Sequence, residues 1–235
     1  VGDDRGTVVS QRAFELDVKS QPDRAVARAC DQLDELRDEQ QIDLLAGIVA
    51  GLCAPTVHPP NGAEHGLRLW GIAAEEQIAA RFTGTPVRLE TSAALGAYGE
   101  LHAGAGRDHP HFIYVCAGRS AGIGLVLNGA VHTGAAGLAG RLGRHWLAGG
   151  GDVDRGDEDA AGSALAWACD LLNPTAVIVN ASDWTNTRTV VAGLRASIDR
   201  LCQPATAATV VVIPGLLCAR AATVGALLQA SSLVA

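Results

Sequence analysis

Residues 112 to 145, FIYVCAGRSAGIGLVLNGAVHTGAAGLAGRLGRH, hold the densest set of groups able to do chemistry. Phe112 to Cys116 and Leu125 to Leu127 are short apolar runs of strand type, and Gly118, Gly122 and Gly124 fall between them. Glycine lets a backbone turn sharply or come close to a ligand, which makes this Gly-laced hairpin a candidate phosphate cradle. The same glycines serve equally as packing residues, and the spacing leaves both readings open. Asn128-Gly129 before Ala130-Val131-His132 is a strong hairpin signal. His58, Glu64 and His65 invite a metal reading, but their spacing fits no standard ligand pattern. Gly149 to Asp159 is rich in glycine and acid without the oxygen spacing and closing Glu of a calcium loop, so a flexible link is expected there. The cysteines at 30, 53, 116, 169, 202 and 218 form no CxxC pair and are expected to be buried, reduced thiols.

The elements that must position these groups alternate in type. Gly2 to Gly6 reads as a turn, Thr7 to Leu16 as a strand, and residues 22 to 40 as an amphipathic helix after Ser20-Gln21-Pro22, with Val26, Ala29, Leu33 and Leu36 at helical spacing and a solvated acidic face. Leu44 to Leu52 reads as a buried strand, 54 to 72 as a loop, Ala73 to Phe82 as a helix, Thr85 to Glu90 as a strand and Ala93 to Ala103 as a small-residue helix. After the hairpin, helices at Ala160 to Leu172, Val190 to Leu201 and Ala219 to Gln229 alternate with strands at Thr175 to Val179 and Thr209 to Ile213. Such a series pairs strands in parallel under covering helices, which makes the fold class α/β. The boundary expected near 103 to 110 gives a first lobe over 1–105 and a second over 106–235, with the last helix returning to the first.

The chain has 235 residues, 48% hydrophobic and 18% charged, enough for a sizeable core in a globular protein. No apolar run reaches the roughly 18 residues a membrane span needs and no signal-peptide pattern opens the chain, so the expected location is cytoplasmic. A net charge of −7 argues against a grip on a phosphate backbone, and any DNA contact is expected from elsewhere. With no methionine in the chain, a segment upstream of Val1 is expected.

The order of these features resembles the ROK family of sugar kinases and transcriptional repressors. The likeness runs through Gly51-Leu52-Cys53-Ala54-Pro55, through Pro86 to Glu90 leading into Ala93-Ala94-Leu95-Gly96, and through Gly118 to Gly129. It continues in Gly134 to Gly140, Leu172-Asn173-Pro174 and Gly225-Ala226. The resemblance implies the actin-like, hexokinase-like (ribonuclease H-like) two-lobed fold. It also implies an incomplete first lobe, because the opening strands with their Asp-Gly-Thr phosphate loop would precede Val1.

Carried over residue by residue, the resemblance also exposes departures. The Asp that serves family kinases as general base falls on Ser92, preceded by Thr91, and a hydroxyl cannot take up a sugar proton near neutral pH as a carboxylate can. The Thr-Gly of the second phosphate loop falls on Arg119 and Ser120, and the adenosine-side glycines on Asn180, Ala181 and Ser182, whose side chains are expected to crowd a nucleotide. The sugar-contacting Glu falls on Arg141 and the zinc-binding His on Arg144, with His145 one step late, and no cysteine lies between 117 and 168 to complete a zinc cluster. The resemblance therefore implies the effector-sensing and oligomerising domain of a ROK-type regulator, with no catalytic residue, cofactor or metal. Its expected effector contacts are Glu90, Thr91, Ser92, Arg141, Arg144 and His145, with an anionic sugar derivative as ligand since guanidinium groups suit carboxylates and phosphates. The expected partners are a second copy of the chain and DNA, the latter through a winged helix-turn-helix upstream of Val1. A degenerate ATP-dependent sugar kinase and a ligand-free scaffold are the competing readings.

Overall fold

The computed structural model describes residues 1–15, 21–52, 74–117, 122–135, 137, 139–140, 158–181 and 184–233. They divide into two compact units. One comprises the described residues within Val1–Ala50, His58–Glu90 and Ala226–Ala235, the other those within Gly51–Val57 and Thr91–Gly225.

In the first unit, α1 (Pro22–Glu39) opens with a proline in its first turn, where the missing N–H leaves no bond unmade. Val26 and Cys30, one turn apart, pack against Ala74 and Ile78 of α2 (residues 74–81) and against Phe82. Strands β1 (Ile48–Leu52) and β2 (Val87–Thr91) form a two-stranded sheet, and their alternate residues Ile48, Ala50, Val87 and Leu89 reach the same cluster. The acidic face of α1 is ion-paired as well as solvated. Arg81 Nη2 lies 2.6 Å from Asp34 Oδ2, and Arg12 pairs with Glu35 and Glu39.

Two expectations fail in this unit. Residues 7–15 form no strand beyond an isolated bridge between Gly2 and Val8. Asp3 Oδ1 accepts from the Arg5 and Thr7 N–H groups at 3.0 and 2.8 Å, and this local turn competes with a ladder for the same donors. The strand expected from Leu44 begins only at Ile48 and is half-buried, with Leu44 exposed. A sheet of two strands does not bury both faces of either strand, as a wide parallel sheet does.

The second unit is built on a five-stranded sheet in the order β5-β4-β3-β6-β7, with β3 (Phe112–Cys116), β4 (Gly122–Leu127), β5 (Ala130–Val131), β6 (Ala176–Asn180) and β7 (Val211–Pro214). β3, β4 and β5 are antiparallel neighbours, while β3, β6 and β7 run parallel, as the β-α-β series requires. Asn128 and Gly129, at φ 54° and 71°, make the tight hairpin turn expected of that pair. On one face of the sheet Ile113, Val115, Val177 and Val179 pack against Leu165 and Cys169 of α4 (Glu158–Leu172) and Leu194 and Ile198 of α5 (Trp184–Leu201). On the other face Phe112, Tyr114, Ala176 and Ile178 meet Ala97 of α3 (Ser92–Ala103) and Ala221, the first residue of α7 (Ala221–Ser231). Helices on both sides explain why β6 is buried at every position. A short helix, α6 (Pro204–Thr209), precedes β7 where the sequence pattern showed none. Among the described residues no helix is long and apolar enough to cross a membrane.

Candidate functional site

β2 runs directly into α3, and the consecutive residues at that junction are Glu90, Thr91 and Ser92. Thr91 keeps extended backbone angles, φ −75° and ψ 144°, and its Oγ1 accepts from the Ala94 N–H at 3.1 Å. That bond satisfies a donor the first turn of the helix would otherwise leave open. Ser92 is the first helical residue. A Cβ at Gly51, near the carboxyl end of β1, would lie 3.0 Å from Leu95 Cδ1 and 3.4 Å from Ser92 Oγ, so a bare backbone borders the Ser92 hydroxyl. Glu90 is half-buried. Burial pushes its carboxyl above the ordinary carboxylate range, while Arg88 and a hydrogen bond with Gln229 pull it down. Thr91 and Ser92 place two hydroxyls at this strand-to-helix turn.

The other expected effector residues, Arg141, Arg144 and His145, lie outside the described residues, as do Arg119, Ser120, Ser182, His58, Glu64 and His65. The approach to Arg141 is described. The Gly140 carbonyl accepts from the Ile123 N–H at 3.3 Å, and a Cβ at Gly140 (φ 82°) would come within 2.0 Å of the Ile123 carbonyl oxygen. Only glycine allows this close approach to the start of β4. Among the described residues no three His, Cys, Asp or Glu side chains gather into a metal-binding group.

A second polar cluster, missed by the sequence reading, lies inside the second unit. Glu100 on α3 is 0% exposed, yet its carboxylate accepts four hydrogen bonds. Oε1 takes Asn180 Nδ2 at 3.0 Å and Leu217 N at 2.9 Å, and Oε2 takes Ala105 N at 2.7 Å and Leu216 N at 3.2 Å. Four N–H donors replace the water that a buried carboxylate loses. Asn180 Nδ2 also lies 3.3 Å from the Tyr114 hydroxyl, whose pKa is pushed up chiefly by burial. Gly215 must be glycine here, since a Cβ would meet Asn180 Oδ1 at 2.3 Å and Glu100 Oε1 at 2.5 Å. The expectation that Asn180 and Ala181 crowd a nucleotide crevice is corrected for both. Asn180 is 3% exposed and turned inward by its bond to Glu100, and Ala181 is buried too. The lone acid in the mostly small and apolar helix Ser92–Ala103 was the available signal for Glu100.

The ROK family model matches residues 56–160, a span that includes α2, β2, α3 and the sheet hairpin and ends in the first turn of α4. The xylose repressor of Bacillus subtilis is 40% identical over 58 residues, which is 25% of this chain and 15% of that repressor. The chain is similar to the ROK family over residues 56–160, a little under half of its length. Two solved ROK structures share its fold. A ROK family transcriptional regulator, a homologue of the E. coli MLC protein, aligns with a TM-score of 0.60 at 16% identity over 90% of this chain and 69% of its own. The ROK family glucokinase of Streptomyces griseus, solved with glucose and AMPPNP, aligns with a TM-score of 0.53 at 21% identity over 68% of this chain and 71% of its own. At those identities the likeness is one of fold, and it joins regulators and kinases alike.

Proposed function

We propose that this chain is the effector-sensing and oligomerising domain of a transcriptional regulator, without sugar kinase activity. The observation that carries the reading is Ser92 at the first turn of α3. A general base must take the sugar hydroxyl proton, and a serine hydroxyl lacks the basicity, so a contribution of about 10²- to 10⁴-fold is missing. The match to a xylose repressor supports the regulatory branch. In this reading the ligand is an anionic sugar derivative, held by Glu90, Thr91 and Ser92 together with Arg141, Arg144 and His145. DNA is bound by a module outside these residues, because a net charge of −7 repels phosphate.

The homodimer in this reading has an apolar face at its disposal. Trp167 and Leu171, one turn apart on α4, are 81% and 80% exposed. A coupled ATP assay on glucose, mannose, xylose and N-acetylmannosamine is expected to show no turnover. Sugar phosphorylation that disappears in Ser92→Ala would replace the regulator reading with that of a kinase. A chain that dimerises but shows no thermal shift with any sugar, sugar acid or sugar phosphate would favour a ligand-free scaffold.

A further inference from the structure

Cys169 lies on α4 with no exposure, and Cys202 follows the last residue of α5, half-buried against the same core cluster. The two thiols hydrogen-bond to each other, and Cys202 Sγ also lies 3.5 Å from the Ala166 carbonyl, its acceptor one turn back on α4. The next residue on each side repeats the contact, since both carboxylate oxygens of Asp170 accept from the Gln203 N–H at 3.1 and 3.2 Å. Two adjacent rungs, 169 to 202 and 170 to 203, thus hold the end of α4 against the end of α5. Both cysteines belong to one core cluster at these helix ends, which brings the two side chains together.

We propose that Cys169 and Cys202 form a dithiol modification site that a hydroperoxide closes to a disulfide between α4 and the end of α5. The Cys202 thiolate attacks the terminal peroxide oxygen, forming an S–O bond as the O–O bond breaks and an alcohol, or water from hydrogen peroxide, leaves. Cys169 then attacks the sulfenic sulfur of Cys202, the S–S bond forms, and the S–O bond breaks with release of water. Two electrons pass from the two thiols to the peroxide, and the two thiol protons end in the alcohol and the water.

The roles follow from exposure and from the shared hydrogen bond. Cys202 is the more exposed of the two residues, and the charge of Arg195 favours its thiolate, as does the bond from Cys169, whereas Asp170 and Asp199 oppose it. Burial raises both thiols, Cys169 to about 12 and Cys202 above its ordinary value. Little of Cys202 is thiolate at neutral pH, so the pair reacts slowly there. Its rate should climb about tenfold per pH unit while Cys202 remains mostly protonated.

The test is peptide mapping without reduction after treatment of the purified chain with excess hydrogen peroxide at pH 7 and pH 9. The expected product has lost about 2 Da and carries a 169–202 link that dithiothreitol removes. Cys202→Ser should abolish the link, and Cys169→Ser should leave Cys202 as a sulfenic acid that dimedone traps. Wild-type protein in which Cys202 stays a free thiol at pH 9, or becomes a dimedone adduct or sulfinic acid with no link, overturns the proposal. The wild-type map decides the matter even if either variant fails to fold.

Discussion

Glu100 is a charged side chain that the fold has fully enclosed, and its four N–H donors make it intolerant of change. Glutamine in its place keeps the shape but turns an NH₂ group toward two of those donors. Glu100→Gln is expected to cost at least about 2 kcal/mol in urea unfolding, because a hydrogen bond to a charged group contributes about 1.5 to 3 kcal/mol and the orphaned N–H groups remain buried. Glu90 is a half-buried carboxyl on β2. Its folded-state pKa is raised, so the folded chain binds the proton more readily than the unfolded one, and stability present at low pH is lost as the pH rises through that value. Glu90→Gln should melt higher than wild type at pH 7.5, with the difference closing as the pH falls below about 4.5, the ordinary carboxyl value. Thermal melts across pH that show no such convergence would remove burial as the cause.

Between elements, α3 and the first turns of α7 come close at two glycines. A Cβ at Gly225 would sit 1.9 Å from the Leu95 carbonyl oxygen, and one at Gly99 would sit 2.4 Å from the Ala221 carbonyl oxygen. Backbone cannot yield as a flexible side chain does, so Gly225→Ala is expected to destabilise by about 1 to 3 kcal/mol and lower the melting temperature accordingly. The turn entering α7 carries strain of another kind. Cys218 has φ 51°, a left-handed conformation that costs an L-residue about 1 to 2 kcal/mol and glycine little. Melting temperatures should therefore rank Cys218→Gly above wild type and Cys218→Val, whose β-branch is worst there, below it. An unchanged melting temperature in Cys218→Gly would mean that lost side-chain packing cancels the gain.

For the whole molecule, the ROK fold is common to regulators and kinases, so function turns on the chemistry at a few positions. Three of the six proposed effector contacts stand together at the β2 to α3 junction, and they are neutral or acidic at neutral pH. The proposed anionic preference therefore rests on Arg141 and Arg144. In a thermal-shift panel, sugar phosphates and sugar acids should raise the melting temperature by a few degrees more than neutral sugars at equal concentration. The double variant Arg141→Ala/Arg144→Ala should erase that difference. Stabilisation by neutral sugars alone would mean that the arginines serve elsewhere and that the junction hydroxyls do the binding.

Much of this was legible in the order of residues because it depends on local chemistry. Asn128-Gly129 announces its hairpin since few residue pairs accept two positive φ angles, and Thr175 to Val179 announces a buried strand since a sheet covered on both faces suits so apolar a run. The α/β class followed from the same kind of pattern, whereas Ser92 in place of a carboxylate is what the family resemblance implies. What the pattern left open depends on partners distant in sequence. Thr7 to Leu16 alternates like a strand, yet a strand exists only where another strand meets its donors and acceptors. Asn180 looked like an obstacle to a nucleotide until Glu100, eighty residues earlier, turned it inward. Cys169 and Cys202 show no motif spacing, and it is the packing of α4 on α5 that brings the two sulfurs into contact. Long-range pairing and burial are properties of the folded chain, and no local window of sequence contains them.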